Sequence, residues 1–104
     1  MIIAVDFDNT LSLNGKPNTA LFRQLNSAKR NGAILILWTC RAGASLAEAV
    51  TFCNQNGLTF HLVNANTPQT IRQLGYDPRK VLADLYIDDK SAPIIGTRAN
   101  DDYK

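Results

Sequence analysis

The chain has 104 residues, 45% of them hydrophobic and 19% charged, and a formal net charge of +2. That length suits a single domain over 1–104 with one core, and the balance excludes a wholly disordered chain. So small a charge does not by itself argue for nucleic acid or a membrane, and no apolar segment reaches the ~18 residues of a membrane span.

Residues 2–6 (IIAVD) read as a fully buried strand that runs into Asp8-Asn9-Thr10. Asn18 can cap a helix from Thr19, with Leu21, Leu25 and Ala28 on its inner face and Gly32 just past its end. Residues 33–38 (AILILW) form a second unbroken apolar run, and Trp38 reads as core. Ser45-Leu46-Ala47-Glu48 has the capping-box pattern of a second helix, with Leu46, Ala49, Val50 and Cys53 inward and Asn56-Gly57 closing it. Residues 59–63 (TFHLV) are the third strand, with Phe60 in the core and His61 packed as a strand residue. Thr67-Pro68 opens a short helix with Ile71 and Leu74 inward and Gly75 at its end. Residues 82–87 (LADLYI) make a fourth strand ending in Asp88-Asp89, and Ile94-Ile95 read as a fifth short strand or a packed tail. Strand–helix alternation of this kind predicts an α/β fold with a mostly parallel sheet, a Rossmann-like three-layer sandwich.

Cys40 and Cys53 fall in predicted strand and helix and read as small buried reduced thiols, not a disulfide framework. The apolar start is cut by Asp6 before it reaches signal-peptide length, so a cytoplasmic setting is expected. His61 is the single histidine and reads as a packed strand residue, so no Ser-His or Cys-His catalytic pair is convincing.

In parallel sheets, function collects beyond the carboxyl ends of the strands. There the sequence places Asp6, Asp8 and Thr10, then Thr39 and Arg41, then Asn64 and Asn66, then Asp88 and Asp89. Like charges packed so closely repel unless a cation lies among them, and an all-oxygen set indicates a hard ion, Mg²⁺ before Ca²⁺ or Mn²⁺. Arg41 reads either as a phosphate contact or as a surface ion pair, and Asn64 and Asn66 as substrate contacts or helix caps.

Asp6-Phe7-Asp8-Asn9-Thr10-Leu11 resembles the D-x-D-[GN]-T signature of the haloacid dehalogenase-like (HAD) superfamily. Thr39 at a strand end, a basic residue at Lys80 and Tyr86-Ile87-Asp88-Asp89 resemble its remaining motifs, in order. The resemblance covers residues 2–91. It implies that Asp6 is the nucleophile that becomes an aspartyl-phosphate and that Asp8 is the general acid/base. It further implies that Thr39 and Lys80 bind the phosphoryl group, and that Asp6, Asp8 (through its carbonyl), Asp88 and Asp89 hold Mg²⁺. Arg79 and Lys90 compete with Lys80 for the cationic role. An extended 80–88 would leave Lys80 some ~25 Å away, at the wrong end of the sheet, so Lys80 reaches the site only if the last strand is short and residues 76–83 fold back over the edge.

Within that superfamily a second Asp at position 8 implies a phosphatase or, less often, a phosphomutase, which usually needs a cap. Residues 12–17 (SLNGKP) leave room for no more than a tight flap, and 40–79 are consumed by the sheet and its helices, so a capless, open site is implied. Such a site suits bulky substrates with an exposed phosphate on a larger molecule, nucleic-acid ends included as substrate, without excluding small phosphorylated molecules, and a second copy of the chain is a candidate cover. No aromatic–basic stacking platform is visible in the sequence. The alternatives are a phosphate-binding module without turnover on the same fold, and a receiver-type domain, which the Thr at position 39 disfavours.

Overall fold

In the computed structural model, residues 1–90 are described. The fold is a Rossmann-like α/β arrangement in which four parallel strands run in the order β5-β4-β1-β6. The strands are β1 (Ile2–Val5), β4 (Ile34–Leu37), β5 (Leu62–Val63) and β6 (Leu85–Ile87). A separate hairpin, β2 (Ser12–Leu13) with β3 (Lys16–Pro17), forms the flap after β1. Its Asn14-Gly15 corner has φ of 52° and 79°, the left-handed pair that a two-residue hairpin turn needs. Among the described residues no helix is long and apolar enough to cross a membrane.

Helix α1 (Thr19–Arg30) starts where Asn18 accepts the Leu21 amide through its side chain at 3.3 Å. Helix α2 (Gly43–Gln55) begins three residues earlier than its capping-box pattern suggests. Its cap is Ala42, without a side-chain bond, and the Ser45 hydroxyl instead donates to the Ala42 carbonyl at 3.1 Å. Helix α3 (Pro68–Leu74) has the expected ends: Thr67 accepts the Thr70 amide, and Gly75 closes it at φ 85°. Ile71 is half-buried, but Leu74 faces outward at 42% exposure, because a seven-residue helix over a thin layer offers it no cover.

Alternation along the strands divides the core. Ile3, Val5, Leu35 and Leu37 meet Phe22, Leu25, Ala49 and Cys53 of α1 and α2 on one face. Ala4 and Ile36 meet Val81, Leu62 and Tyr86 on the other. Right-handed crossovers require that arrangement: the chain steps outward through α1 and α2, then returns past β1 through α3. Leu35 is fully enclosed, and Leu35→Ala should cost about 2–5 kcal/mol in a denaturant melt without changing the fold.

Two predicted strands are shorter than their apolar runs. At β5, the exposed His61 takes over the pairing: its amide donates to the Leu35 carbonyl and its Nδ1 accepts the Leu35 amide, both at 2.9 Å. His61 is therefore a side-chain splice at the strand's start, not a packed strand residue. At β6, residues 77–82 fold around the buried Asn66, so pairing begins only at Leu85. The expectation for Ile94-Ile95 lies outside the described residues.

Candidate functional site

β1 stands between β4 and β6, and the chain's direction across the sheet reverses there, which is where crevices form in such sheets. Val5 is in register with Ile87, and the Asp6 amide donates to the Ile87 carbonyl at 2.9 Å. The acidic ends of the two strands are thereby set side by side. Carboxylate oxygens of Asp6, Asp88 and Asp89 all lie within 4.8 Å of one another. Asp6 is half-buried and the other two are exposed. Burial pushes the Asp6 carboxyl above its ordinary range, and the charges of Asp88, Asp89 and Asp8 push the same way, against the Phe7 amide.

The Asp8 carboxylate is not part of that cluster. Arg41 grips it in a fork, Nε to Oδ2 at 3.0 Å and Nη2 to Oδ1 at 2.9 Å. The guanidinium also donates to the Ser45 carbonyl and lies 4.7 Å from the Phe7 ring centroid. The Arg41 hydrogen bond holds the Asp8 carboxyl below its ordinary range. A lowered folded pKa stabilises the fold above the ordinary value, and the benefit is lost as pH falls through the lowered one. Arg41→Ala should therefore move the Asp8 titration, followed by carboxyl NMR, upward to the ordinary range. The pair is exposed, so stability at neutral pH should change by less than ~1 kcal/mol.

Thr39 follows β4 and is buried, its amide held by Asn64 Oδ1 at 2.8 Å. Asn64 occupies φ 50°, a left-handed conformation that Asn tolerates, and so braces Thr39 instead of capping a helix. The Thr39 Oγ1 accepts the Arg41 amide at 3.2 Å, which leaves its proton to give elsewhere. Thr39, Asp6 and Asp88 line one cleft of about 310 Å³ together with Trp38, Tyr86 and Lys90. On the other side of Asp88 and Asp89 is a shallower hollow beside Asn9 and Thr10, where Thr10 Oγ1 is buried without a hydrogen-bond partner.

β6 is short and its approach folds back, which puts Lys80 Nζ 5.8 Å from the Tyr86 ring centroid, but Lys80 does not line the cleft. Lys90 is the cation that lines the cleft among the described residues, with its amide on Asp88 Oδ1 at 2.7 Å. Arg79 is exposed and does not line it. Asn66, placed at a strand end by the sequence, neither caps α3 nor faces the cleft; it is the hub of the 77–82 loop. Two further expectations are corrected. Cys40 is exposed at the cleft, because β4 ends at Leu37, and Trp38 is 37% exposed there instead of sitting in the core. Cys53 is buried, which pushes its thiol up to about 11 and leaves it unreactive.

No protein-family model and no curated protein matches the chain. A solved structure of a conserved protein from Bacteroides thetaiotaomicron matches it with a TM-score of 0.76 at 35% sequence identity. The match covers 88% of this chain and 77% of that one.

Proposed function

The chain belongs to the same family as that conserved Bacteroides thetaiotaomicron protein, and we propose that it is a Mg²⁺-dependent HAD-type phosphatase with an open site. The observation that supports this best is the convergence of Asp6, Asp88 and Asp89 within 4.8 Å, in a cleft shared by Asp6, Asp88 and Thr39. Three clustered carboxylates, with the Asp6 carboxyl raised by burial and by its neighbours, form a hard-oxygen donor set that fits a small dication. Asp6, Asp88 and Asp89 would hold it with their side chains, and Asp8 through its carbonyl, as the resemblance implies. When bound, Mg²⁺ supplies positive charge that offsets the acids and the phosphoryl oxygens.

Asp6 attacks phosphorus through one carboxylate oxygen, and the bond from phosphorus to the alcohol oxygen breaks. That oxygen takes the proton carried by Asp8. A water then gives a proton to Asp8 and bonds to phosphorus, the bond to Asp6 breaks, and inorganic phosphate leaves. Thr39 donates its free hydroxyl proton to a phosphoryl oxygen, and Lys90 or Lys80 supplies the cation for the spreading charge. For its acid role Asp8 must exchange the Arg41 fork for a proton, so Arg41 has to move aside when substrate enters.

Phosphate release from a generic aryl phosphate, with Mg²⁺ and with chelator, tests the reading. Release that needs the ion and Asp8 is expected. Absence of turnover across aryl, sugar and nucleoside phosphates would falsify it and leave the phosphate-binding module in its place.

A further inference from the structure

Two aromatic side chains line the cleft together with the acids. Trp38 follows β4 and Tyr86 lies on β6, the strands on either side of β1, and their ring centroids are 5.4 Å apart at a tilt of 52°. Both line the cleft that Asp6, Thr39 and Asp88 share, and Trp38 keeps 37% of its surface open there. Tyr86 is fixed in place: its hydroxyl accepts the Ala83 amide at 3.1 Å and donates to the Val81 carbonyl at 2.7 Å. Its polar end is therefore spent inside the protein, and what it offers the cleft is the ring. A platform that needs no rearrangement loses little freedom on binding. Lys80 lies over the Tyr86 ring and Lys90 lines the cleft, so positive charge stands beside the apolar surface.

We propose that Trp38 and Tyr86 form a stacking subsite for a flat aromatic ring carried by the alcohol portion of the phosphate monoester, the base of a nucleoside monophosphate foremost. The inference deepens the phosphatase reading and rests on it for where the phosphate sits. Three features converge on such a ligand. A volume of about 310 Å³ lies at the low end of the range for small-ligand pockets, roughly 300–1,000 Å³, and suits one ring-bearing molecule. Lys90, which lines the cleft, complements its phosphate. The rings complement its base, in the way that stacking platforms hold bases of any identity.

Trp38 is the single tryptophan of the chain, so its emission reports this subsite alone. The test titrates the full chain, with Mg²⁺ present, with nucleoside 5′-monophosphates, phenyl phosphate, glucose 6-phosphate and inorganic phosphate. Saturable quenching is expected from the two ring-bearing ligands, at affinities about ten-fold or more above that of the sugar phosphate. A nucleotide that outbinds phenyl phosphate identifies the base as the ring, and the reverse order identifies an aryl ester. Calorimetry on Trp38→Leu should show nucleotide affinity lowered roughly 5- to 100-fold, and Trp38→Phe, which keeps a π-face, should recover most of it.

Equal affinity for sugar phosphate and nucleotide overturns the proposal, as does a Trp38→Leu loss that is the same for every ligand. Emission that changes with protein concentration but with none of the ligands assigns the wall to a second copy and overturns it too. Nucleotide binding without phosphate release would remove the phosphatase reading and leave the stacking subsite standing. Hydrolysis indifferent to the ring would do the opposite.

Discussion

Replacing Asp6 by Asn is expected to abolish phosphate release, by roughly 10⁴-fold or more, and yet to stabilise the ion-free protein at pH 7. The first effect follows from losing the oxygen that bonds to phosphorus. The second follows from the charge this side chain carries among Asp8, Asp88 and Asp89 in a half-buried place. A raised folded pKa means that the fold favours the protonated form: the advantage is present below the ordinary Asp value and disappears as pH rises through the raised one. At neutral pH the ion-free wild type therefore carries a penalty that Asn removes, on the order of 1 kcal/mol, as relief of functional-site strain commonly gives. Thermal melts in chelator should show the variant above the wild type. With Mg²⁺ the order should narrow or reverse, since ligand binding stabilises whichever form binds it more tightly. Retained turnover in Asp6→Asn, or a lower melting temperature in chelator, would contradict the proposed role of Asp6.

The second large effect is structural. Asn66 is 2% exposed and uses both ends of its amide. Nδ2 donates to Asp77 Oδ1 at 2.8 Å and to the Pro78 and Lys80 carbonyls at 3.3 Å, and Oδ1 accepts the Leu82 amide at 2.7 Å. Asn66→Ala leaves these groups without a partner, at about 1–3 kcal/mol for a buried orphan and about 2–4 kcal/mol in all. For a domain of this size that is a drop in Tm of about 10 °C or more. The Leu82 amide should exchange with solvent far faster in the variant. Since the same loop carries Lys80 and leads into Tyr86, nucleotide affinity should fall with it. A variant that melts within ~2 °C of the wild type would show that the hub is dispensable.

Much of the architecture could be read from the chain because its signals are local. The unbroken apolar runs of β1 and β4, the Asn18 cap, the Thr67-Pro68 start and the Gly75 stop each follow from a few adjacent residues. The meeting of Asp6 with Asp88 and Asp89 was also legible, because residues at the carboxyl ends of parallel strands converge wherever those strands are neighbours. What escaped depends on side chains that do the work of backbone. His61 Nδ1 stands in for a carbonyl at β5, and Asn66 gathers a loop that the pattern LADLYI suggests is strand. Trp38 escaped for another reason. It ends an apolar run and so resembles core, yet nothing in the run reveals that β4 stops one residue before it, at the rim. Its partner Tyr86 is 48 positions away, which hides the aromatic wall from any short window. Asp8 shows the limit of motif reading: the motif gives its position, whereas Arg41 decides where its carboxylate points.

The rung from the Asp6 amide to the Ile87 carbonyl lies directly beneath the carboxylates it brings together. Repulsion among those groups pulls on the very contact that sets their spacing, so fraying of this strand pair and discharge of the crowding are a single motion. Deuterium uptake at the Asp6 amide thus becomes a gauge of the local field: slow when the crowding is neutralised, quicker when it is not.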